Sequence, residues 1–542
     1  MIAKPMMTIF TELSADTCRR ARLSRDPRFD GRFFIGVKTT GIYCRPICPA
    51  VAPKEENVDY FFSAAAAANQ GLRPCLRCRP ESAPGSCAWK GTRTTLERAV
   101  TLIEQGALSG ESAKGVEHLA QRLGISSRYL RKLFVEALGL SPKQYAAFQQ
   151  LMFAKQLLHQ TRLPITQVAL AAGYTSIRRF NEVFQSQLQL TPSALRRSAD
   201  TQMDNSNRLQ LFLSYRPPYA WQALLDFYRL RAVTGMEWFE LDGRQGYGRS
   251  LLLNSDKGGF KAWFFAELQA SQNRVAVTLA LEEGAELSLL PVLVNRIRRI
   301  LDLDADMQQV EQVLQPITLA DSTFGWEPGL RLPAAGSLFE AGVRAVLGQQ
   351  VSVTQATKLL GQLVAARGER RVIAGREISF FPEPESMLAA DFDELKMPAS
   401  RKTALAELAR FQFEHGDTEP EAWLSLKGIG PWTIAYARMR GLSDPDVLLG
   451  GDLIIRKRLL TLLGKTAIST EVNGNLAQLN PDSAKQGAVG QHKGNKSADK
   501  KSMDNKSDAK KSAAHYQALL QSVTEAASPW GSYLTLQLWQ SA

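Results

Sequence analysis

The sequence predicts a multidomain chain, mainly α with small α/β parts, and three observations carry that prediction. All six cysteines fall within the first ninety of 542 residues. A helical unit with a glycine turn occurs twice between residues 93 and 198. Beyond them, stretches alternating in hydrophobicity give way near Leu290 to helical spacing that runs to the end of the sequence. Length alone implies three or four domains. No run of 18 uncharged apolar residues occurs, and M-I-A-K-P-M-M-T-I-F-T-E-L lacks a signal-peptide core. A cytoplasmic, nucleoid-associated protein with no membrane partner is expected.

Charge separates the chain into two regimes. Residues 1–199 hold 28 Lys+Arg against 14 Asp+Glu, whereas the remainder holds 38 against 39. A basic first third points to nucleic acid. The near-neutral remainder carries no such signal, so any contact with nucleic acid there would rest on backbone groups and a few placed side chains.

Residues 1–90 contain Cys44-x3-Cys48 and, after 26 residues, Cys75-x2-Cys78. Two short-spaced pairs in a reducing compartment suit one tetrahedral Zn²⁺ held by four thiolates. The pattern alone fits a purely structural knuckle as well. The flanks, V-K-T-T-G-I-Y-C-R-P-I-C-P-A and G-L-R-P-C-L-R-C-R-P, closely resemble the N-terminal domain of the bacterial Ada adaptive-response proteins. That resemblance implies that Cys44 accepts a methyl group from a DNA methylphosphotriester. Zinc would keep its sulfur a thiolate, the nucleophilic form. Methylation would remove one negative charge and so reduce repulsion from phosphate. Lys38, Arg45, Arg73, Arg77 and Arg79 are candidate phosphate contacts; Cys18 and Cys87 match nothing in the pattern.

Residues 93–198 read as helices, with 14 Lys+Arg against 6 Asp+Glu. H-L-A-Q-R-L-G-I-S-S-R-Y-L-R-K-L-F (118–134) is answered by V-A-L-A-A-G-Y-T-S-I-R-R-F-N-E-V-F (168–184), each with Ala-x3-Gly at the turn. A small residue, a glycine turn and a polar helix start make a helix-turn-helix. The pair, with L-S-P and L-T-P after its units, resembles the AraC-type DNA-binding domain. Ser126, Ser127, Arg128 and Arg131 would face one major groove, and Ser176, Arg178, Arg179 and Asn181 the next. Promoter DNA and RNA polymerase are the expected partners.

Residues 199–207 form a polar linker. The strand, turn and helix of R-L-Q-L-F-L-S-Y-R-P-P-Y-A-W-Q-A-L-L-D-F open an α/β subdomain over 208–289. Residues 290–542 then form a helical domain, interrupted at 481–512 by a lysine-rich stretch without aromatics that cannot bury a core. Within it L-K-G-I-G-P-W-T places Gly428 and Gly430 before Pro431, at a helix start. The N–H groups of such a turn can face DNA phosphate, joined by Lys427 and Thr433. Asp452 follows Gly450 and Gly451 and precedes L-I-I-R-K-R; by itself it reads as an N-cap.

The joint pattern, L-x-G-I-G-x-W-T then G-D-L-x-I-x-K-R, with R-A-V-L-G-Q-Q-V-S-V-T-Q-A upstream, resembles the AlkA-like 3-methyladenine glycosylases of the helix-hairpin-helix superfamily over 208–542. The resemblance implies that Asp452 is the catalytic carboxylate. It makes Trp432, Tyr436, Trp539 and Phe227 pocket walls, and Gln350 the residue filling the gap left by an extruded nucleotide. Trp432 stands where lyase-competent relatives carry a lysine, which implies a monofunctional enzyme acting on alkylated double-stranded DNA. No cysteine follows Cys87, so no iron–sulfur cluster is expected. A transcription regulator whose glycosylase-like half binds DNA without catalysis is the alternative.

Overall fold

The computed structural model describes residues 14–541 except 26–32, 62–66, 79–90, 109–114, 198–207, 254–259, 319–323, 467–515 and a few isolated positions. Cys87, Arg79, the 199–207 linker and the 481–512 stretch therefore lie outside the described residues. The chain divides into two compact units, 1–149 and 150–542. The division falls inside a single helix, α5 (Pro142–Gln160).

In the first unit, helix α1 (Ala15–Ser24) starts at Ser14, whose side chain accepts from the Thr17 N–H. A sheet of order β3-β1-β2-β4 follows: β1 (Phe34–Val37), β2 (Ile42–Cys44), β3 (Val58–Phe61) and β4 (Arg73–Pro74). The β2–β4 pairing is parallel, aligning Tyr43 with Pro74, so each strand delivers a cysteine to one end of the sheet. Cys18 is fully buried in the core beneath it. Helices α2 (Gly91–Glu104), α3 (Gly115–Arg122) and α4 (Ser127–Leu138) then form the first helix-turn-helix.

The second unit opens with the matching helices α6 (Ile165–Ala171), α7 (Ile177–Leu188) and α8 (Pro192–Arg197). The repeat read from the sequence is a structural one. The turn glycines, Gly124 and Gly173, take φ of +67° and +83°, which a Cβ disfavours, and Ala120 and Ala169 are buried behind them.

A five-stranded antiparallel sheet of order β5-β9-β8-β7-β6 comes next: β5 (Leu209–Ser214), β6 (Glu237–Leu241), β7 (Arg244–Leu253), β8 (Phe260–Gln269) and β9 (Arg274–Leu281). Helix α9 (Trp221–Arg229) covers it with Leu224, Leu225 and Tyr228. β5 is an edge strand, and exposed edges invite pairing with other chains. Here the edge is occupied from within. The Gln160 amide of α5 accepts from the Phe212 N–H (2.8 Å) and donates to the Phe212 carbonyl (3.4 Å), joined by Gln156 (3.3 Å). One apolar core runs from Leu157, Val168 and Phe180 of the second helix-turn-helix to Leu211, Val277 and Ile297.

Helices α10 (Leu290–Ile300), α11 (Met307–Thr318), α12 (Leu338–Gly348), α13 (Val353–Arg367), α14 (Ala399–His415), α15 (Pro431–Gly441), α16 (Leu453–Thr466), α17 (516–527) and α18 (Gly531–Gln540) complete the unit. The spacing after Leu290 was expected to be helical throughout. A hairpin, β10 (Arg370–Ile373) with β11 (Arg376–Ser379), intervenes, turning at Ala374–Gly375, both at positive φ. No helix among the described residues is long and apolar enough to cross a membrane.

Helix α12 is locked to the sheet by buried ion pairs, Arg249 to Glu340 (2.6 Å), Arg344 to Glu340 (2.8 Å) and Arg344 to Glu237 (3.1 Å). Asp302, after α10, is partly buried; its Oδ2 accepts from the Leu332 N–H (2.9 Å) and the Tyr533 hydroxyl (3.0 Å). Burial raises it to about 6 despite these bonds. A folded value above the unfolded ~3.9 gives stability that is fully present below about pH 4 and lost as pH rises through about 6. Melting curves should therefore show Asp302→Asn gaining on the wild type between pH 4 and pH 8, by up to about 2–3 kcal/mol.

Candidate active site and metal centre

Asp452 ends a tight turn. The Gly450 N–H donates to the Leu448 carbonyl (2.8 Å) and the Asp452 N–H to the Leu449 carbonyl (2.9 Å). The cap read from the sequence is present in the structure. Asp452 Oδ1 caps α16 by accepting from the N–H groups of Ile454 (2.9 Å) and Ile455 (3.2 Å). The same oxygen accepts from Trp539 Nε1 (3.4 Å). The protein hydrogen bonds described thus converge on Oδ1, with none falling on Oδ2 among the described residues.

The four aromatic residues expected as pocket walls form two stacked pairs, one of which meets Asp452 through Trp539. Trp432 and Tyr436, one turn apart on α15, stack with centroids 5.4 Å apart, and Phe227 stacks on Trp539 at 6.3 Å. A Cβ built on Gly451 would stand 3.7 Å from Trp432 Cδ1. Arg440 closes the circuit, donating to the Tyr436 hydroxyl (2.9 Å) with its guanidinium 4.8 Å from the Phe227 ring. Arg231 lies over the same ring at 3.8 Å. Contacts therefore run Asp452–Trp539–Phe227–Arg440–Tyr436–Trp432 and back to Gly451.

Both arginines escaped the sequence reading. The available signal was register: Arg231 and Arg440 lie four residues beyond Phe227 and Tyr436, on the same helical face where helix continues. Burial would push the Tyr436 phenol up, but Arg440, Arg231 and Arg344 outweigh it and hold the phenol below its ordinary range.

Of the expected DNA contacts, Gly428 takes φ +87° and Gly430 is the extended N-cap of α15, with Pro431 at its first position. Lys427 and Gln350 are exposed, and Gln350 holds φ +58°, sparsely populated for a side-chain-bearing residue. Thr433 corrects the expectation. It is 1% exposed, its hydroxyl accepting from Gln349 Nε2 (3.2 Å), because one residue past Trp432 the helix has turned its side chain inward. Gln349 also donates to the Gly428 carbonyl (3.0 Å), so this pair ties the Gln350 loop to the hairpin.

In the first unit, the sulfurs of Cys44, Cys48, Cys75 and Cys78 all lie within 4.8 Å of one another. Four thiolates about 2.3 Å from a tetrahedral zinc stand about 3.8 Å apart, so the set fits that ion. Backbone bonds fix the cluster: Cys75 N–H to the Tyr43 carbonyl (3.0 Å), and Cys48 N–H to the Arg45 carbonyl (3.1 Å). The hydrogen bond with Cys78 and burial raise Cys44 above the ordinary thiol range, and burial raises Cys48 to about 11. The bond from Cys44 leads the effects lowering Cys78 to about 6. A bound zinc ion would take the place of these shared protons and hold all four sulfurs as thiolates.

Cys44, Cys48 and Cys75 border a cavity of about 750 Å³ whose charged lining residues are Arg22, Arg25, Arg45 and Arg77. Arg45 donates to the Cys78 carbonyl (3.1 Å). Arg22 and Arg25 were not foreseen; α1 brings them across from a distant stretch. Lys38 is exposed and paired with Asp59 (3.0 Å). Arg73 lies on β4, opposite Ile42.

On the helix-turn-helix units, Ser126, Arg128, Arg131, Ser176, Arg178, Arg179 and Asn181 are exposed and Ser127 partly so. Ser126 and Ser176 cap α4 and α7. Arg131 pairs with Glu117 (3.0 Å) and Arg178 with Glu182 (3.0 Å). Exposed pairs of this kind are worth about 1 kcal/mol or less, so phosphate can displace them.

Three family models match: the metal-binding domain of Ada over residues 17–81, a helix-turn-helix domain over 119–198 and the AlkA N-terminal domain over 210–337. The chain is 35% identical over 458 residues to a probable bifunctional transcriptional activator/DNA repair enzyme AlkA of Mycobacterium tuberculosis, covering 81% of this chain and 89% of that one. It is 34% identical to DNA-3-methyladenine glycosylase 2 of Escherichia coli, over 45% of this chain and 86% of that one. It is also 37% identical to the bifunctional transcriptional activator/DNA repair enzyme Ada of Escherichia coli, over 27% and 38%. The four clustered sulfurs and the matched metal-binding domain together make this a one-zinc site.

Proposed function

The chain belongs to the family of bifunctional transcriptional activators and DNA repair enzymes of the AlkA type, and on that premise we propose a monofunctional DNA glycosylase for alkylated bases, fused to a DNA-binding regulator that registers methylphosphotriesters. The observation that supports the enzyme best is the Asp452 carboxylate, with one oxygen committed to the helix and to Trp539 of the Phe227 stack, and no described hydrogen bond on the other.

A glycosylase must extrude the nucleotide before it can reach the glycosidic bond. An N-alkylated purine such as 3-methyladenine is cationic and already a good leaving group. The remaining barrier is positive charge growing on the sugar, which Asp452 Oδ2 is suited to stabilise while water attacks the anomeric carbon. The aromatic faces attract a cationic base by about 0.5–2 kcal/mol each. Arg231 and Arg440 oppose it, so the balance between rings and guanidinium groups sets the base range. Lys427, Gly428 and Gly430 would hold backbone phosphate, and Gln350 would occupy the vacated stack.

In the first unit, Cys44 would attack a phosphotriester methyl. A carbon–sulfur bond forms, the methyl–oxygen bond breaks, and the phosphodiester leaves as an anion. Zinc would be held by Cys44, Cys48, Cys75 and Cys78 and would keep the Cys44 sulfur a thiolate, while Arg25, Arg45 and Arg77 of the cavity would bind the neighbouring phosphates. Arg128, Arg131, Arg178 and Arg179 would hold promoter DNA, with RNA polymerase the implied partner.

One experiment addresses both activities. The full chain is incubated with methylated DNA, released bases are separated, and the Cys44 peptide is weighed. Free 3-methyladenine and one added methyl on Cys44 are expected. DNA binding without base release would favour a regulator alone; zinc retained with no adduct would make the cysteine cluster a structural knuckle.

A further inference from the structure

Resting on the reading of Asp452 as the excision carboxylate, we propose that Tyr516 is a positioning residue for that step, its hydroxyl fixing the Gly450–Asp452 turn so that Oδ2 stays directed at the sugar. Tyr516 is the first described residue of α17, where the described fold resumes after 467–515. It is 4% exposed, and its hydroxyl donates to the Gly450 carbonyl at 2.6 Å.

Three further contacts fix the same corner. The Arg456 guanidinium, in the first turn of α16, lies 5.0 Å from the Tyr516 ring centroid. Leu520, one turn along α17, fills the space behind Gly450, where an added Cβ would come within 2.4 Å of its methyl carbons. The Arg456 N–H donates to the Asp452 carbonyl (2.9 Å), closing the first turn of α16. Trp539 therefore orients the carboxylate through its side chain, and Tyr516 orients it through its backbone.

A carboxylate that acts by electrostatics is sensitive to small displacements, because the stabilisation has to be in place as charge develops. Without the hydroxyl, the Gly450 carbonyl loses its acceptor role and the turn is free to shift. Tyr516→Phe keeps the ring, its contact with Arg456 and the buried volume.

The test uses the zinc-loaded full chain and single-turnover release of 3-methyladenine. Two DNA probes replace the target nucleotide, one with a neutral tetrahydrofuran and one with a cationic pyrrolidine that mimics the charged sugar. Tyr516→Phe should slow excision about tenfold and reduce the preference for pyrrolidine over tetrahydrofuran by a similar factor. Affinity for tetrahydrofuran DNA should stay within about twofold of wild type. Wild-type excision by Tyr516→Phe, with Asp452→Asn inactive, would overturn the positioning role alone. Equal losses of excision and tetrahydrofuran binding would also overturn it, as a general structural defect. Full activity in Asp452→Asn would remove the catalytic reading beneath it.

Discussion

Asp452→Asn is expected to slow base release by about 10²–10³-fold, the range found when a preorganised electrostatic group is removed. The fold should tolerate the change. Asparagine is as good an N-cap as aspartate, so its side-chain oxygen can still accept from the Ile454 and Ile455 N–H groups and from Trp539. What disappears is one negative charge beside the sugar. Affinity for tetrahydrofuran DNA and the melting temperature should therefore stay near wild type while single-turnover excision falls. An Asn variant that excises normally would make Asp452 a helix cap and nothing more.

Zinc removal should have the other large effect, confined to the first unit. The β2–β4 pairing spans two aligned residue pairs, and its strands lead directly into the cysteine cluster. With so short a pairing, the metal that the four sulfurs would hold is expected to carry much of this region's order. Structural zinc contributes about 10–16 kcal/mol in small zinc-dependent folds. Chelation, or Cys75→Ala, should accordingly raise hydrogen exchange across Phe34–Phe61, while the sheet of the second unit keeps its protection and base release continues. Unchanged exchange in the metal-free protein would contradict this.

The sequence carried the local features well, because each depends on near neighbours. Pro431 starts a helix, the two turn glycines sit at positive φ, and Trp432 and Tyr436 share a face for reasons of spacing alone. Asp452 was legible as a cap, and the fold uses one carboxylate oxygen for that. What remained hidden depends on long-range packing. Arg440 reaches Phe227 across 213 positions, and Gln349 reaches Thr433 across 84. Arg22 joins the cysteine cavity only because α1 folds beside it. Thr433 misled because adjacency in a motif was read as a shared face, whereas adjacent helical residues point about 100° apart.

The paired amide of Gln160 on the Phe212 backbone bears on how such a fusion endures. Severing the peptide anywhere in 199–207 should leave the second helix-turn-helix and the five-stranded sheet joined through their common apolar interior. Without helix α5, the Phe212 N–H and carbonyl on the β5 margin would lose the partners that Gln156 and Gln160 give them.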